Sequence, residues 1–276
     1  MSVVVLIGAT SGLGRCAAEQ LAADGHRLFL VGRDPARAAD LARRLPQATV
    51  ITADVSVRAG VEHVAAEVAA GADRIDVLVN NAGVMTPTRQ VNAEGIELNL
   101  AVHHLAPWST TALLLPLLPS GGRIVNVNSE GHRSPMRGGA VRIDPRRLAD
   151  GPAEFDPFLT YSRTKLADLL FAYELQRRRP DLNVVAVHPG VVRTDLGRQF
   201  PRLQVAAVQA FALSARRGAE PVVQLAVGPE ARTGYYDRFR AVRSSASSYD
   251  EDLAQRVWTA TEELRPHAAA FPHRGR

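Results

Sequence analysis

Apolar residues in this chain fall into short unbroken runs, separated by stretches where they recur every three or four positions. Residues 2–7, 28–31, 48–52, 75–79, 123–127 and 182–187 are such runs, and they predict strands buried on both faces, as parallel strands are. A last short strand is expected at Tyr235-Tyr236, giving about seven. Helical spacing marks 14–24, 35–45, 56–70, 93–118, 160–178, 217–227 and 249–264. Asp34 and Pro35 read as the N-cap and first turn of the second helix. Pro107 predicts a kink or break in the long 93–118 segment. Residues 130–158, rich in Gly, Pro and Arg, predict a long surface loop, a length that is usually functional or mobile. Residues 196–215 are unusually apolar for a connection. Strands alternate with helices throughout without a second compositional regime, so the expectation is one α/β domain over 1–276 built on a doubly wound parallel sheet.

Composition narrows the classes. The 276 residues are 46% hydrophobic, enough for one large core. No run of 18 apolar residues occurs, so no membrane span is expected, and the N-terminus reads as a strand and not as a signal peptide. Cys16 is the one cysteine; it reads as a packed helix thiol and fits a reducing, cytoplasmic setting. The net charge of +5 would suit an anionic partner, but the arginines are scattered and aromatics make up 5%, so no nucleic-acid surface is expected.

Gly8-Ala9-Thr10-Ser11-Gly12-Leu13-Gly14 lies where the first strand hands over to the first helix. Glycines there let backbone approach a pyrophosphate, and the helix N-terminus favours its charge. The second strand ends Val31-Gly32-Arg33-Asp34. An acid at that end would bind the ribose 2′-hydroxyl of NAD, whereas Gly32 leaves room and Arg33 suits a 2′-phosphate. NADP(H) is therefore favoured over NAD(H), with Asp34 the alternative ribose partner if the strand runs one residue longer.

Lys165 is the only lysine among 33 basic residues, and it stands four residues after Tyr161. A helix puts both on one face. Wherever charge alone is needed the chain uses Arg, so this position uses the ammonium itself.

Further segments join these in order: Asp54-Val55, Asn80-Asn81-Ala82-Gly83, Ser129, Tyr161-Ser162-Arg163-Thr164-Lys165, and Pro189-Gly190-Val191-Val192-Arg193-Thr194. Over nearly its whole length the chain resembles the short-chain dehydrogenase/reductase superfamily, whose fold is Rossmann-like, with Ile7 where the family usually has Thr before its glycine loop. Asn128-Ser129-Glu130-Gly131-His132-Arg133 and Leu253-Ala254-Gln255-Arg256-Val257-Trp258 are similar to the retinol dehydrogenase and WW-domain oxidoreductase branch. The resemblance implies that Gly8, Thr10, Ser11, Gly12, Leu13 and Gly14, with Arg33, Asp54, Val55, Asn80, Ala82, Gly83, Pro189, Gly190, Val192 and Thr194, hold the dinucleotide, and that Tyr161 and Lys165 touch it too. It implies Ser129, Tyr161 and Lys165 as catalytic groups. Counting from Gly83, His103 stands where the family has an Asn that helps hold a relay water, so His103 is either a bland substitution or a working imidazole.

The residue types then set the expected chemistry. Tyr161 is general acid for carbonyl reduction and general base for alcohol oxidation. A free phenol titrates near pH 10, and an ammonium at about 4 Å and an effective dielectric near 20 favours the phenolate by about 4 kcal/mol. Ser129 orients the substrate oxygen. The loop 130–158 and a lid over 195–216 are expected to shape the pocket, with Leu196, Phe200, Leu203, Val205, Val208, Phe211 and Leu213 suggesting a lipophilic or polycyclic carbonyl or alcohol, or else core or a homodimer contact. Rival readings are a non-catalytic NADP-binding sensor and a lyase or epimerase on the same scaffold.

Overall fold

The computed structural model describes residues 1–134, 140–150, 154–201, 212–229, 231–265 and 271. The apolar runs become β1 (Val3–Ile7), β2 (Arg27–Gly32), β3 (Thr49–Thr52), β4 (Val77–Asn80), β5 (Arg123–Val127) and β6 (Asn183–His188). They are followed by β7 (Gly234–Asp237) and β8 (Arg240–Ala241). The sheet order is β3-β2-β1-β4-β5-β6-β7-β8, parallel except for the antiparallel β7–β8 pair. The eighth strand exceeds the expected seven. It has only two residues, both exposed, and no apolar run marks it.

The helices are α1 (Gly12–Ala23), α2 (Pro35–Arg44), α3 (Arg58–Gly71), α4 (Leu98–Leu100), α5 (Ala106–Leu114), α6 (Pro157–Arg178), α7 (Ala215–Val227) and α8 (Glu251–Leu264). Asp34 caps α2 as expected, its carboxylate accepting from the Ala36 and Arg37 N–H groups. The single helix expected over 93–118 is corrected in two ways. It starts at Leu98, after Glu97 caps it and Val91 bridges to Glu97, and its middle is a π-helical turn over Ala101–Leu105. That turn precedes Pro107, which lacks an N–H, so the break comes upstream of the proline and lets His103 and His104 both point into buried surroundings. The expected loop 130–158 contains 3-10 turns at Glu130–His132 and Pro145–Arg147, and its last two residues already belong to α6.

Two apolar layers cover the sheet. On one face Phe29, Val64, Trp108, Phe171 and Trp258 pack together; on the other Leu21, Leu30, Val79, Val187 and Val222 do so. The chain order reverses between β1 and β4, so a crevice opens at the carboxyl ends of the strands, the place where such Rossmann-like folds bind ligands. The segments following β1, β4, β5 and β6 all lead from that edge. No helix is long and apolar enough to cross a membrane among the described residues.

Candidate active site

The glycine loop leaves β1 with Gly8 at φ +83, and a Cβ there would lie 2.7 Å from Ala82 Cα. A Cβ on Gly14 would overlap the Gly8 carbonyl oxygen and the Asn81 amide, which itself donates to Gly8 O at 2.8 Å. The loop is thus compressed against the Asn81-Ala82 backbone, and only glycine permits that approach. Ser11 is the N-cap of α1 but makes no side-chain cap bond, and the first turn carries no acid, so its N–H groups face no competing carboxylate of their own helix. Leu13 turns its side chain into the core, leaving backbone to the ligand side. A cavity of about 470 Å³ opens here, lined by Thr10, Ser11, Gly12, Arg15, Ala36, Arg37 and Asp40. Backbone donors and a crevice fit a dinucleotide diphosphate, with Arg15 and Arg37 on its wall each paired with a neighbouring acid.

The end of β2 gives a physical reason for Gly32. Any Cβ there would run into the Thr10 side chain, so an acid at this position is excluded sterically. Asp34 spends one carboxylate oxygen capping α2 and pairs with Arg37 at 3.9 Å. Arg33 is exposed. Asp54 accepts from the Ser56 N–H at 3.0 Å, which shapes the turn, and Val55 packs on the core. Asn80 is placed differently from a ligand contact through its side chain: its amide donates to Asn126 Oδ1 at 2.8 Å inside the sheet, while the neighbouring Asn81 reaches the loop. Gly190 has φ +91, Val192 packs on Gly218 and bridges to Leu213, and Thr194 lies against Gly12, 3.3 Å from where its Cβ would stand. These bring Pro189–Thr194 over the glycine loop.

Tyr161 and Lys165 lie one turn apart on α6, as the spacing predicts. The buried Lys165 ammonium donates to Val127 O at 2.8 Å and lies 6.0 Å from the Tyr161 ring centroid. Ser129 caps the following 3-10 turn, its hydroxyl accepting from the Gly131 N–H at 3.1 Å. A Cβ on Gly131 would be 3.4 Å from both Ser129 Oγ and Tyr161 Cε1, so the two catalytic candidates border the same glycine. Burial pushes the Tyr161 phenol above its ordinary pKa, a hydrogen bond with Ser129 pulls it down, and Asp168 pushes it up again. The net direction is upward, opposite to the depression expected from Lys165 alone. Burial lowers the Lys165 ammonium while Asp168 raises it, so the lysine's field is shared with a carboxylate.

His103 is 1% exposed and fully bonded. Thr164 donates its hydroxyl proton to Tyr161 O at 2.8 Å, so His103 Nδ1–H must donate to Thr164 Oγ1 at 2.9 Å. Nε2 then accepts the Val84 N–H at 3.0 Å. Burial first, then Lys165, holds its pKa well below the ordinary value. The imidazole ties the segment after β4 to the helix bearing Tyr161, whose ring it meets edge-on at 5.2 Å. Asn99, one turn earlier, is a buried polar neighbour bonded to Glu97.

Several participants lie in the stretch 128–133 that carries the branch resemblance, which assigned them no role. Asn128 holds Ser129, its Oδ1 accepting the Ser129 N–H at 2.8 Å. His132 Nδ1–H donates to Ser129 O at 2.6 Å while Nε2 accepts the Ser245 N–H at 3.1 Å, and Tyr235 donates to Glu130 at 2.7 Å. Glu130 and His132 therefore clamp the Ser129 loop onto the segment around β7 and β8. Their adjacency to Ser129 is the one available clue. In the segments expected to shape the pocket, Leu196 Cδ1 lies 3.5 Å from where a Cβ on Gly83 would stand, and Phe158 and Phe200 meet at 6.0 Å. Leu203, Val205, Val208 and Phe211 lie outside the described residues. Among the described residues no group of three or more His, Cys, Asp or Glu could hold a metal.

The family model for short chain dehydrogenases matches residues 2–141. A Streptomyces sp. (strain C5) protein named as a candidate daunorubicin C-13 ketoreductase is 34% identical over 266 residues, covering 94% of this chain and 90% of its own. Retinol dehydrogenase 14 of Homo sapiens is 31% identical over 294 residues, covering 95% and 85%. Among solved structures, a Mycobacterium paratuberculosis protein of uncharacterised role superposes with a TM-score of 0.80 at 29% identity, covering 99% of this chain and 96% of that one. The chain belongs to the short-chain dehydrogenase/reductase superfamily, within which it resembles the retinol dehydrogenase branch, and it is an NAD(P)-dependent oxidoreductase acting on CH–OH and C=O groups.

Proposed function

We propose that the protein is an NADP(H)-dependent ketoreductase or alcohol dehydrogenase for a lipophilic or polycyclic substrate. The observation that carries this reading is the meeting of Tyr161, Ser129 and the chain's only lysine just past the carboxyl end of β5, on the same sheet edge as a glycine loop packed tightly against the Asn81-Ala82 backbone. Gly8 to Gly14 and the first turn of α1 would hold the diphosphate, Arg33 the 2′-phosphate, Asp54 and Val55 the adenine side, and Pro189 to Thr194 the nicotinamide end. When bound, the dinucleotide supplies or takes a hydride. The chain's own residues manage the proton. Tyr161, kept as a phenol by burial, donates to the carbonyl oxygen in reduction and must lose its proton for oxidation. Ser129 Oγ donates to the same oxygen and sets its direction. Lys165 keeps two ammonium protons beyond the one given to Val127, for the cofactor ribose and for the field at Tyr161. His103 positions and does not relay, since both its nitrogens are committed.

NADP is preferred in this reading because Thr10 bars an acid from position 32, Asp34 is occupied as a cap, and Arg33 stands exposed at the strand end. The apolar Leu196, Phe158 and Phe200, together with the daunorubicin ketoreductase named above, support a polycyclic ketone class. The test is oxidation of NADPH and of NADH by the purified chain against aryl ketones, anthracycline-type ketones, quinones and retinal. Turnover with NADPH on a polycyclic carbonyl supports the reading. Tight NADPH binding with no turnover on any of them contradicts it.

A further inference from the structure

The buried carboxylate of Asp168 is used by none of the steps above. It follows Lys165 by three residues and Tyr161 by seven, on the same stripe of α6, and is 2% exposed. Its Oδ2 accepts from Asn128 Nδ2 at 2.9 Å, while its Oδ1 has no hydrogen-bond partner among the described residues. A lone carboxylate with one oxygen unbonded in a protein interior is costly, and apolar replacements usually serve folding better. Its place in the network says what it does. The Asn128 amide gives one N–H to Asp168 and the other to Lys165 O at 3.0 Å, and its oxygen takes the Ser129 N–H. An ionised carboxylate only accepts, so together with Lys165 O it holds the Asn128 nitrogen on that side and its oxygen toward Ser129. The same charge acts on the Lys165 ammonium and on the Tyr161 phenol of its own helix, and from the sheet side it meets the neutral Asn128 amide.

We propose that Asp168 is a positioning residue of the active site: through Asn128 it orients the Ser129 backbone, and through its charge it keeps Lys165 an ammonium. Burial lifts its own pKa to about 6, with Lys165 and the Asn128 hydrogen bond pulling back, so it is ionised at neutral pH. The proposal rests on the oxidoreductase reading for its kinetic half and on geometry alone for its electrostatic half.

The single lysine makes a direct test possible. In the full chain labelled with 13C-lysine, one Cε resonance reports the Lys165 titration, with no substrate required. Asp168→Asn keeps volume and an oxygen for Asn128 but removes the charge; Asp168→Leu removes both. In Asp168→Asn the Lys165 pKa is expected to fall by about one unit or more, and the alkaline limb of the kcat profile to move down with it. At pH 7, kcat is expected to fall about tenfold in Asp168→Asn and further in Asp168→Leu, with KM for the ketone changing less than kcat. A Lys165 pKa unchanged in Asp168→Asn overturns the proposal whether or not any substrate turns over. Unchanged kcat and pH profile in both variants also overturn it. A wild-type chain that turns nothing over while its Lys165 pKa still responds to Asp168→Asn contradicts the oxidoreductase reading and supports the coupling.

Discussion

His104 offers a quantitative test of how the π-helical turn is built. Its Nε2 meets Thr261 Oγ1 at 2.7 Å, and Thr261 donates its own proton to Val257 O, so Nε2 carries the hydrogen and Nδ1 is the basic nitrogen. Burial lowers its pKa from 6.5 to about 4, with Ala167 backbone offsetting part of the effect. A histidine depressed in the folded state stabilises the fold above its unfolded pKa and loses that contribution as pH falls toward the folded one. Between those values the unfolded chain binds more protons, so stability rises with pH. With the ordinary 6.5 for the unfolded chain and about 4 for the folded one, lowering the pH from 7 to 5 removes about 1.8 kcal/mol through this group alone, or about 3 °C in Tm for a chain of this length. Asp168, whose pKa is raised, works in the opposite sense, and His103 in the same sense. A comparison with His104→Gln cancels both, because Gln keeps an N–H for Thr261 and does not titrate. Urea unfolding of the two proteins at pH 7 and pH 5 should show the wild type losing about 2 kcal/mol more than the variant across that interval. Equal losses would mean that His104 is not buried neutral between α6 and α8, and the reasoning about this turn would fail.

Replacing Arg33 by Ala should raise KM for NADPH by about 10- to 100-fold and leave KM for NADH within about threefold, since a charge-assisted contact to phosphate contributes about 1.5–3 kcal/mol. Steady-state kinetics with both cofactors decide it, and equal effects on the two would remove Arg33 from the 2′-phosphate role. Gly14→Ala places a methyl on the Gly8 carbonyl and the Asn81 amide. It should abolish NADPH binding in a fluorescence titration and lower stability by about 1–3 kcal/mol. Lys165→Arg should lose kcat by about 10²-fold or more, because the rigid planar fork does not reproduce the compact ammonium that donates to Val127 O; a variant with wild-type kcat would mean that charge alone suffices there.

The sheet was legible because β1, β2, β4, β5 and β6 are largely buried and read as plain apolar runs; β8, two exposed residues held by a hairpin, leaves no such trace. Tyr161 and Lys165 could be paired from spacing because a helix converts four residues into one face. The π-helical turn could not be read, since Ala101–Leu105 carries ordinary helix formers and the extra residue is decided by Pro107 and by what His103 and His104 pack against. The roles of Asn128, Thr164 and Asp168 were invisible for a different reason. Each works through a partner distant in sequence: Asn128 is 40 positions from Asp168, and Thr164 is 61 from His103. The charge at Lys165 was legible, whereas the burial that leaves Tyr161 a phenol, with Asp168 adding to it, required knowing what packs around the ring.

The central claim is that Tyr161 moves the proton that accompanies hydride transfer. Its most direct test is the rate of NADPH absorbance loss with the best ketone, wild type against Tyr161→Phe, with NADPH affinity measured on both. The account predicts a fall in kcat of about 10²- to 10⁴-fold at nearly unchanged NADPH affinity. A phenylalanine variant that keeps wild-type turnover would contradict it.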